Sequence, residues 1–120
     1  MRERERESTA VAPKSAPSLD VVFDLLANRR RRYALYYLYD RPDGVSSLDD
    51  LVDGVLTYEV IEGDVEDHRT TVRTSLQHVH LPKLEDAGIV EYDPRSETVR
   101  YWTQPSLEEW LEHAHHKERP

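Results

Sequence analysis

The chain has no cysteine, which excludes disulfides, thiolate metal sites and a cysteine nucleophile. No apolar run approaches the ~20 residues that a membrane-spanning helix needs. The first residues, in which Arg and Glu alternate from Arg2 to Glu7, are too charged for a signal peptide. A glycine-rich phosphate loop is missing, and no nucleophile stands in a recognisable elbow. The carboxylates that an acidic chain always supplies are no argument for hydrolysis. The expectation is therefore a soluble cytoplasmic protein that is not an enzyme, with no catalytic residue, no cofactor and no membrane partner. Lysine is also scarce, limited to Lys14, Lys83 and Lys117.

What is present is acid, and it is concentrated. The net charge is −8 over 120 residues, one domain's worth of chain. Between Asp40 and Glu66 there are nine acidic residues and one base, Arg41, so this stretch carries the whole excess and the remainder is formally neutral. Phosphate affinity rests on Lys and Arg, so the total charge argues at first sight against a nucleic-acid partner. The composition also matches proteins adapted to high intracellular salt. In molar salt the Debye length is about 3 Å, and an acidic exterior there repels DNA little beyond contact distance. The charge leaves the matter open.

Residues 1–17 read as a disordered, self-cancelling tail. Ser18 then caps a first helix in which Leu19, Val22, Phe23 and Leu26 form one apolar stripe, ending near Asn28. Arg29–Arg32 and the run Tyr33-Ala34-Leu35-Tyr36-Tyr37-Leu38-Tyr39 make a second helix, closed near Asp40-Arg41-Pro42-Asp43-Gly44. Successive arginines on a helix point about 100° apart and cannot form one phosphate stripe. Either one or two of them touch a backbone phosphate, or they pair with the acidic segment. Ser47, with Asp50 three residues on, opens a third helix carrying Leu48, Leu51, Val52, Val55 and Leu56. An acidic connection from about Thr57 to Glu66 follows.

The stretch from Asp67 to Trp102 organises the rest. It starts as a helix with Arg69, Arg73 and Lys83, and ends at Ala87-Gly88, a helix-stop signal. Two strand-type runs follow, Ile89–Tyr92 and Thr98–Trp102, separated by a turn in which Pro94 suits the second position. Helix, glycine and hairpin together make the second half of a winged helix-turn-helix. The apolar residues Val72, Leu76, Val79, Leu81 and Leu84 spread over more than half of a straight helical wheel, and Pro82 is expected to bend or interrupt that helix. Thr71, Thr74, Ser75 and His78 are expected to face a groove, with Arg69 and Arg73 toward phosphates; the bland alternative is an ordinary solvent-facing side. His78 and His80 are two residues apart and cannot share a metal from one helix face, and His80 reads as packed. His113, His115 and His116 lack carboxylate or thiol partners at fixed spacing, so no metal is expected. Ser106 and Glu109 read as the cap of a last helix over residues 105–120, with a stripe of Leu107, Trp110, Leu111 and Ala114. That stripe either packs back on the first helix or meets a second chain; the expectation is a homodimer through Leu107, Trp110 and Leu111.

The segment His80-Leu81-Pro82-Lys83-Leu84-Glu85-Asp86-Ala87-Gly88-Ile89-Val90 resembles the end of the reader helix in winged-helix regulators of the arsenical-repressor type. Leu26-Ala27-Asn28-Arg29-Arg30 resembles the start of their second helix. Leu19–Trp102 as a whole, about two thirds of the chain, resembles an uncharacterised haloarchaeal winged-helix domain family. The resemblance implies a mainly α fold with a small β-hairpin, a winged helix-turn-helix over residues 18–104 with an additional C-terminal helix. It also implies double-stranded DNA as partner through the Arg69–His78 stretch, and often a dimer. The metal-sensing cysteines of the arsenical-repressor group are absent. The wing adds Arg95 as a backbone contact, offset by Glu91, Asp93 and Glu97. The alternative from another class is a protein–protein interaction module without specific DNA binding.

Overall fold

The computed structural model describes residues 16–119, so the expected tail lies, apart from Ala16 and Pro17, outside the described residues. The fold is mainly helical with a small antiparallel sheet. In order come α1 (Leu19–Leu26), α2 (Arg29–Asp40), β1 (Val45–Ser47), α3 (Leu48–Leu56), α4 (Val65–Ser75), a wide π-type turn (Leu76–His80), α5 (Leu81–Asp86), β2 (Val90–Asp93), β3 (Thr98–Tyr101) and α6 (Pro105–Glu118). The strands lie in the order β1–β3–β2, all antiparallel, with Val45 opposite Arg100 and Val90 opposite Tyr101.

The starts of α1, α2, α3 and α4 follow from side-chain caps. The Ser18 hydroxyl accepts from the Val21 amide, Asn28 Oδ1 from Arg31, Ser47 Oγ from Asp50 and Asp64 from Asp67, each satisfying an amide that the first turn leaves without a partner. Asn28 thus opens α2 as well as bounding α1. The cap of α6 differs from the expected Ser106–Glu109 box. Gln104 is the capping residue, and Glu108 reaches back to accept from its amide at 3.0 Å. At the far end of α5, Gly88 has φ 76°, with Gly88 N–H donating to the Glu85 carbonyl and Ile89 N–H to that of Leu84. This double return is the Schellman closure that only a residue tolerant of positive φ gives cheaply.

The core centres on α2, where Ala34, Leu35 and Leu38 are wholly buried, and on Leu48, Leu51, Val52 and Val55 of α3. The two helices meet so closely that a Cβ on Gly54 would stand 2.4 Å from the Tyr37 ring. In α1 it is Val22 and Leu25 that face inward. Leu19 and Phe23, expected in the stripe, are 55% and 46% exposed. Phe23 instead lies edge-on to Trp110 of α6, 5.3 Å between ring centres.

The π-type turn resolves the untidy wheel. In an unbroken α-helix Leu81 would stand roughly 180° around from Val72. The wide turn takes up about one extra residue, which brings Leu81 and Leu84 back to the side of Val72 and Leu76, and all four are fully buried. Its hydrogen bond runs from Leu81 N–H to the Leu76 carbonyl. Pro82 then falls in the first turn of α5, where its missing N–H costs little.

The last helix packs on α1 and α2 and places Leu107 and Leu111 in the same core, both fully buried. This corrects their expected role: side chains spent inside one chain cannot carry a subunit contact. Three tyrosines bind α6 carboxylates, Tyr36 to Glu118 (2.6 Å), Tyr101 to Glu108 (2.6 Å) and Tyr39 to Glu112. Among the described residues no helix is long and apolar enough to cross a membrane.

Candidate nucleic-acid interface

The outward side of α4 carries Thr70, Thr71 and Thr74, followed by His78 in the wide turn, all exposed. Thr71, Thr74 and His78 are spaced i, i+3 and i+7, one line along the helix. The Thr70 and Thr71 hydroxyls donate to the carbonyls of Glu66 and Asp67, which leaves their oxygen lone pairs outward. Ser75, expected beside them, is turned inward. Its hydroxyl donates to the Val72 carbonyl and accepts from Arg30 Nη1 at 3.1 Å, so it is not available to a groove.

Arg69 and Arg73 project about 150° around α4 from this line, toward α3 and the β2–β3 turn, and are already engaged. Arg69 pairs with Asp53 of α3, and its Nη2 lies 4.0 Å from the Asp49 carboxylate. Arg73 pairs with Asp49 through one nitrogen and with Glu97 through the other, at 2.9 Å. The result is a row of five alternating charges, Asp53, Arg69, Asp49, Arg73 and Glu97, across α3, α4 and the β2–β3 turn. Burial of the Arg73 guanidinium is outweighed by Glu97 and Asp49, which raise its pKa and keep it charged. Arg95 stands exposed in the hairpin turn, where its backbone N–H donates to Asp93 Oδ1.

The four arginines of α2 have other fates. Arg31 is buried and donates to the carbonyls of Leu25 (2.7 Å) and Asp24 (2.8 Å), and Arg32 to that of Leu26 (2.5 Å). Together with the Ala27 amide, which also donates to Asp24, they satisfy the last carbonyls of α1. Arg32 also grips Glu118 of α6, and Arg30 forks onto Glu59 at 2.6 and 2.9 Å. Pairing with the acidic segment, one of the two expected readings, thus describes Arg30. Arg31 sits at the head of the buried line Arg31, Ala34, Leu35, Leu38, a periodicity visible in the sequence.

A second concavity of about 400 Å³ lies between the start of α2, the 57–64 connection, His68 and His80. Glu59 fills its polar centre, held by Arg30 and by His68 Nε2 at 3.0 Å. Burial pushes the Glu59 carboxyl up, but Arg30 and His68 outweigh it and hold it below the usual range. His80 is buried, with Nδ1 3.4 Å from Arg31 Nη1. Burial first, and then Arg31 and Arg30, push its pKa down to about 4, so the ring is neutral at pH 7. His115 stacks on Tyr36 at 4.2 Å between ring centres. Among the described residues no group of histidines and carboxylates is arranged to hold a metal ion.

Of the residues expected to read DNA, the structure therefore brings Thr71, Thr74 and His78 together, turns Arg69 and Arg73 away from them into ion pairs with α3 and the hairpin turn, leaves Arg95 on the hairpin and removes Ser75. The acids Asp49 and Asp53, spaced i, i+4 on α3 opposite arginines spaced i, i+4 on α4, are the residues that sequence reasoning missed.

These features define a helix-rich protein with a three-stranded antiparallel sheet and an exposed helix face beside a hairpin. A model described as a domain of unknown function, DUF7344, matches residues 23–100, well over half of the chain, and the chain belongs to that family. The match ends within β3 and leaves α6 outside it. No curated protein and no solved structure matches the chain.

Proposed function

We propose that the chain is a winged helix-turn-helix protein that reads duplex DNA through the outward side of α4, with the β2–β3 hairpin as wing, and that it acts in transcription rather than as an enzyme. The order α2, β1, α3, α4, β2, β3 with a β1–β3–β2 sheet supports this reading, since it is the order such folds use to set a helix and a hairpin on one side. The observation that carries it is the Arg73–Glu97 bond at 2.9 Å, which ties the hairpin turn to the helix bearing Thr71, Thr74 and His78. Polar side chains of this kind reach base edges, and arginines on the flank of the same helix reach phosphates.

The test is retention of a random duplex pool at low salt, followed by anisotropy titration of the selected duplex. The expected result is binding whose log K falls linearly with log salt, by about 0.9 per phosphate contact. Arg73→Ala lowers the slope by about one, and Thr74→Ala relaxes sequence preference without changing the slope. Absence of any selected duplex at low salt would sink the reading.

A protein–protein module is the second reading, favoured by one specific observation: both arginines of α4 already have carboxylate partners. With Leu107 and Leu111 in the core, a homodimer through α6 falls to Trp110, together with Phe23 and Leu19 beside it. That reading expects no duplex retention and an assembly that Trp110→Ala disperses in light-scattering chromatography.

A further inference from the structure

The row Asp53–Arg69–Asp49–Arg73–Glu97 is drawn from three separate elements. Its sum is −1, so in this arrangement the two arginines offer a phosphate no net positive charge. Its acidic members are positioned by backbone rather than by chance. Asp49 and Asp53 are one turn apart on a helix capped by Ser47. Glu97 holds a left-handed φ of 54°, and its carbonyl accepts from the Leu48 amide, the first residue of α3, at 2.8 Å. The hairpin turn is therefore fastened to α3 through its backbone and to α4 through its side chain. Exposed ion pairs of this kind are weak and exchange readily, whereas a phosphate presents the same geometry to a guanidinium.

We infer that Asp49, Asp53 and Glu97 form a carboxylate clamp that occupies Arg69 and Arg73 in the free protein and hands them to DNA phosphates on binding. The clamp rests on the DNA reading above and adds regulation to it: the carboxylates act as an internal competitor for the same two cations. Only a duplex that also satisfies Thr71, Thr74 and His78 compensates for opening it, so the clamp suppresses non-specific binding more than specific binding. Salt bears on both sides of the exchange, because it screens the clamp as well as the phosphates.

A double-mutant cycle tests this on the full chain, with the selected duplex at low salt. Glu97→Gln tightens binding about three-fold, and Asp49→Asn with Glu97→Gln about ten-fold, as loss of one and then several exposed pairs implies. In an Arg73→Ala background Glu97→Gln has no effect, because Glu97 acts through Arg73. Asp50→Asn, which removes the same charge from the same turn of α3 outside the clamp, tightens binding less than Asp49→Asn. Equal tightening by Glu97→Gln in both backgrounds would show plain repulsion between Glu97 and DNA and overturn the clamp, as would no tightening at all. In either of those cases the wild-type chain still binds duplex, and the DNA reading survives. Failure of the wild-type chain to bind any duplex removes both.

Discussion

Arginines occur in two groups here, and the groups behave as different residues. On α2, Arg31 and Arg32 are turned into the protein and hydrogen-bond backbone carbonyls of α1. On α4, Arg69 and Arg73 lie along the surface and meet carboxylates that are themselves largely exposed, with the Asp49 side chain 67% accessible. A carbonyl in a helix end cannot leave, and without its donor it stays unsatisfied. An exposed carboxylate can return to water at little cost. The first group holds the fold; the second is held only by groups that water can replace.

The sharpest way to break this contrast is Arg31→Ala. It leaves the Leu25 carbonyl without its donor and takes one of two donors from Asp24, and is expected to lower the unfolding free energy by about 3 kcal/mol, read from urea denaturation. A loss under about 1 kcal/mol would put Arg31 in the same category as the surface arginines.

The neighbour of Arg31 gives the next effect. The His80 ring is held neutral down to a pH of about 4, while in the unfolded chain it takes a proton near the ordinary histidine value of 6.5. Above 6.5 it contributes no pH dependence. Between 6.5 and 4 the unfolded state binds the extra proton, so stability falls as pH drops through that window, by an amount on the order of 3 kcal/mol in all. His80→Gln should flatten that segment of the stability–pH curve. An unchanged slope would mean that the ring protonates in place.

Smaller again is Glu59→Gln, expected to cost about 1 kcal/mol by weakening the fork from Arg30 and the contact to His68. The Glu59 carboxyl is held below the ordinary glutamate value of 4.5. Its contribution is therefore present above that pH and lost as pH falls through the lower folded value. In Glu59→Gln that acid-side loss should shrink. The smallest expected change is in Arg69→Ala and Arg73→Ala, each within about 0.5 kcal/mol of wild type in the same denaturation experiment. A larger cost for either would make the α4 arginines structural and erase the contrast.

The helix caps at Ser18 and Ser47, the Gly88 stop and the hairpin were legible from residue types, because each is settled within a few neighbours. β1 was not. Its three residues Val45-Ser46-Ser47 have no period of their own and become a strand only by pairing with Thr98–Arg100. The inward side of α1 was misread for a related reason: Leu19 and Phe23 are as apolar as Val22 and Leu25, and only the position of α2 decides between the lines. In the candidate site the outward residues Thr71, Thr74 and His78 were readable, whereas the inward turn of Ser75 depended on Arg30 from another helix. The partners of Arg69 and Arg73 come from stretches 16 to 24 residues away in sequence, and no local pattern points to them.

The wide turn at Leu76–His80 sets a relation between two tasks of one rod. The residues before it, which present Thr71 and Thr74, and those after it, which anchor Leu81 and Leu84, are joined through a section that is out of step with both. The anchor and the display are thereby geared separately. A shift of one residue in the widened section would turn the display by about 100° relative to the anchor, and would carry Val72 out of the core with it.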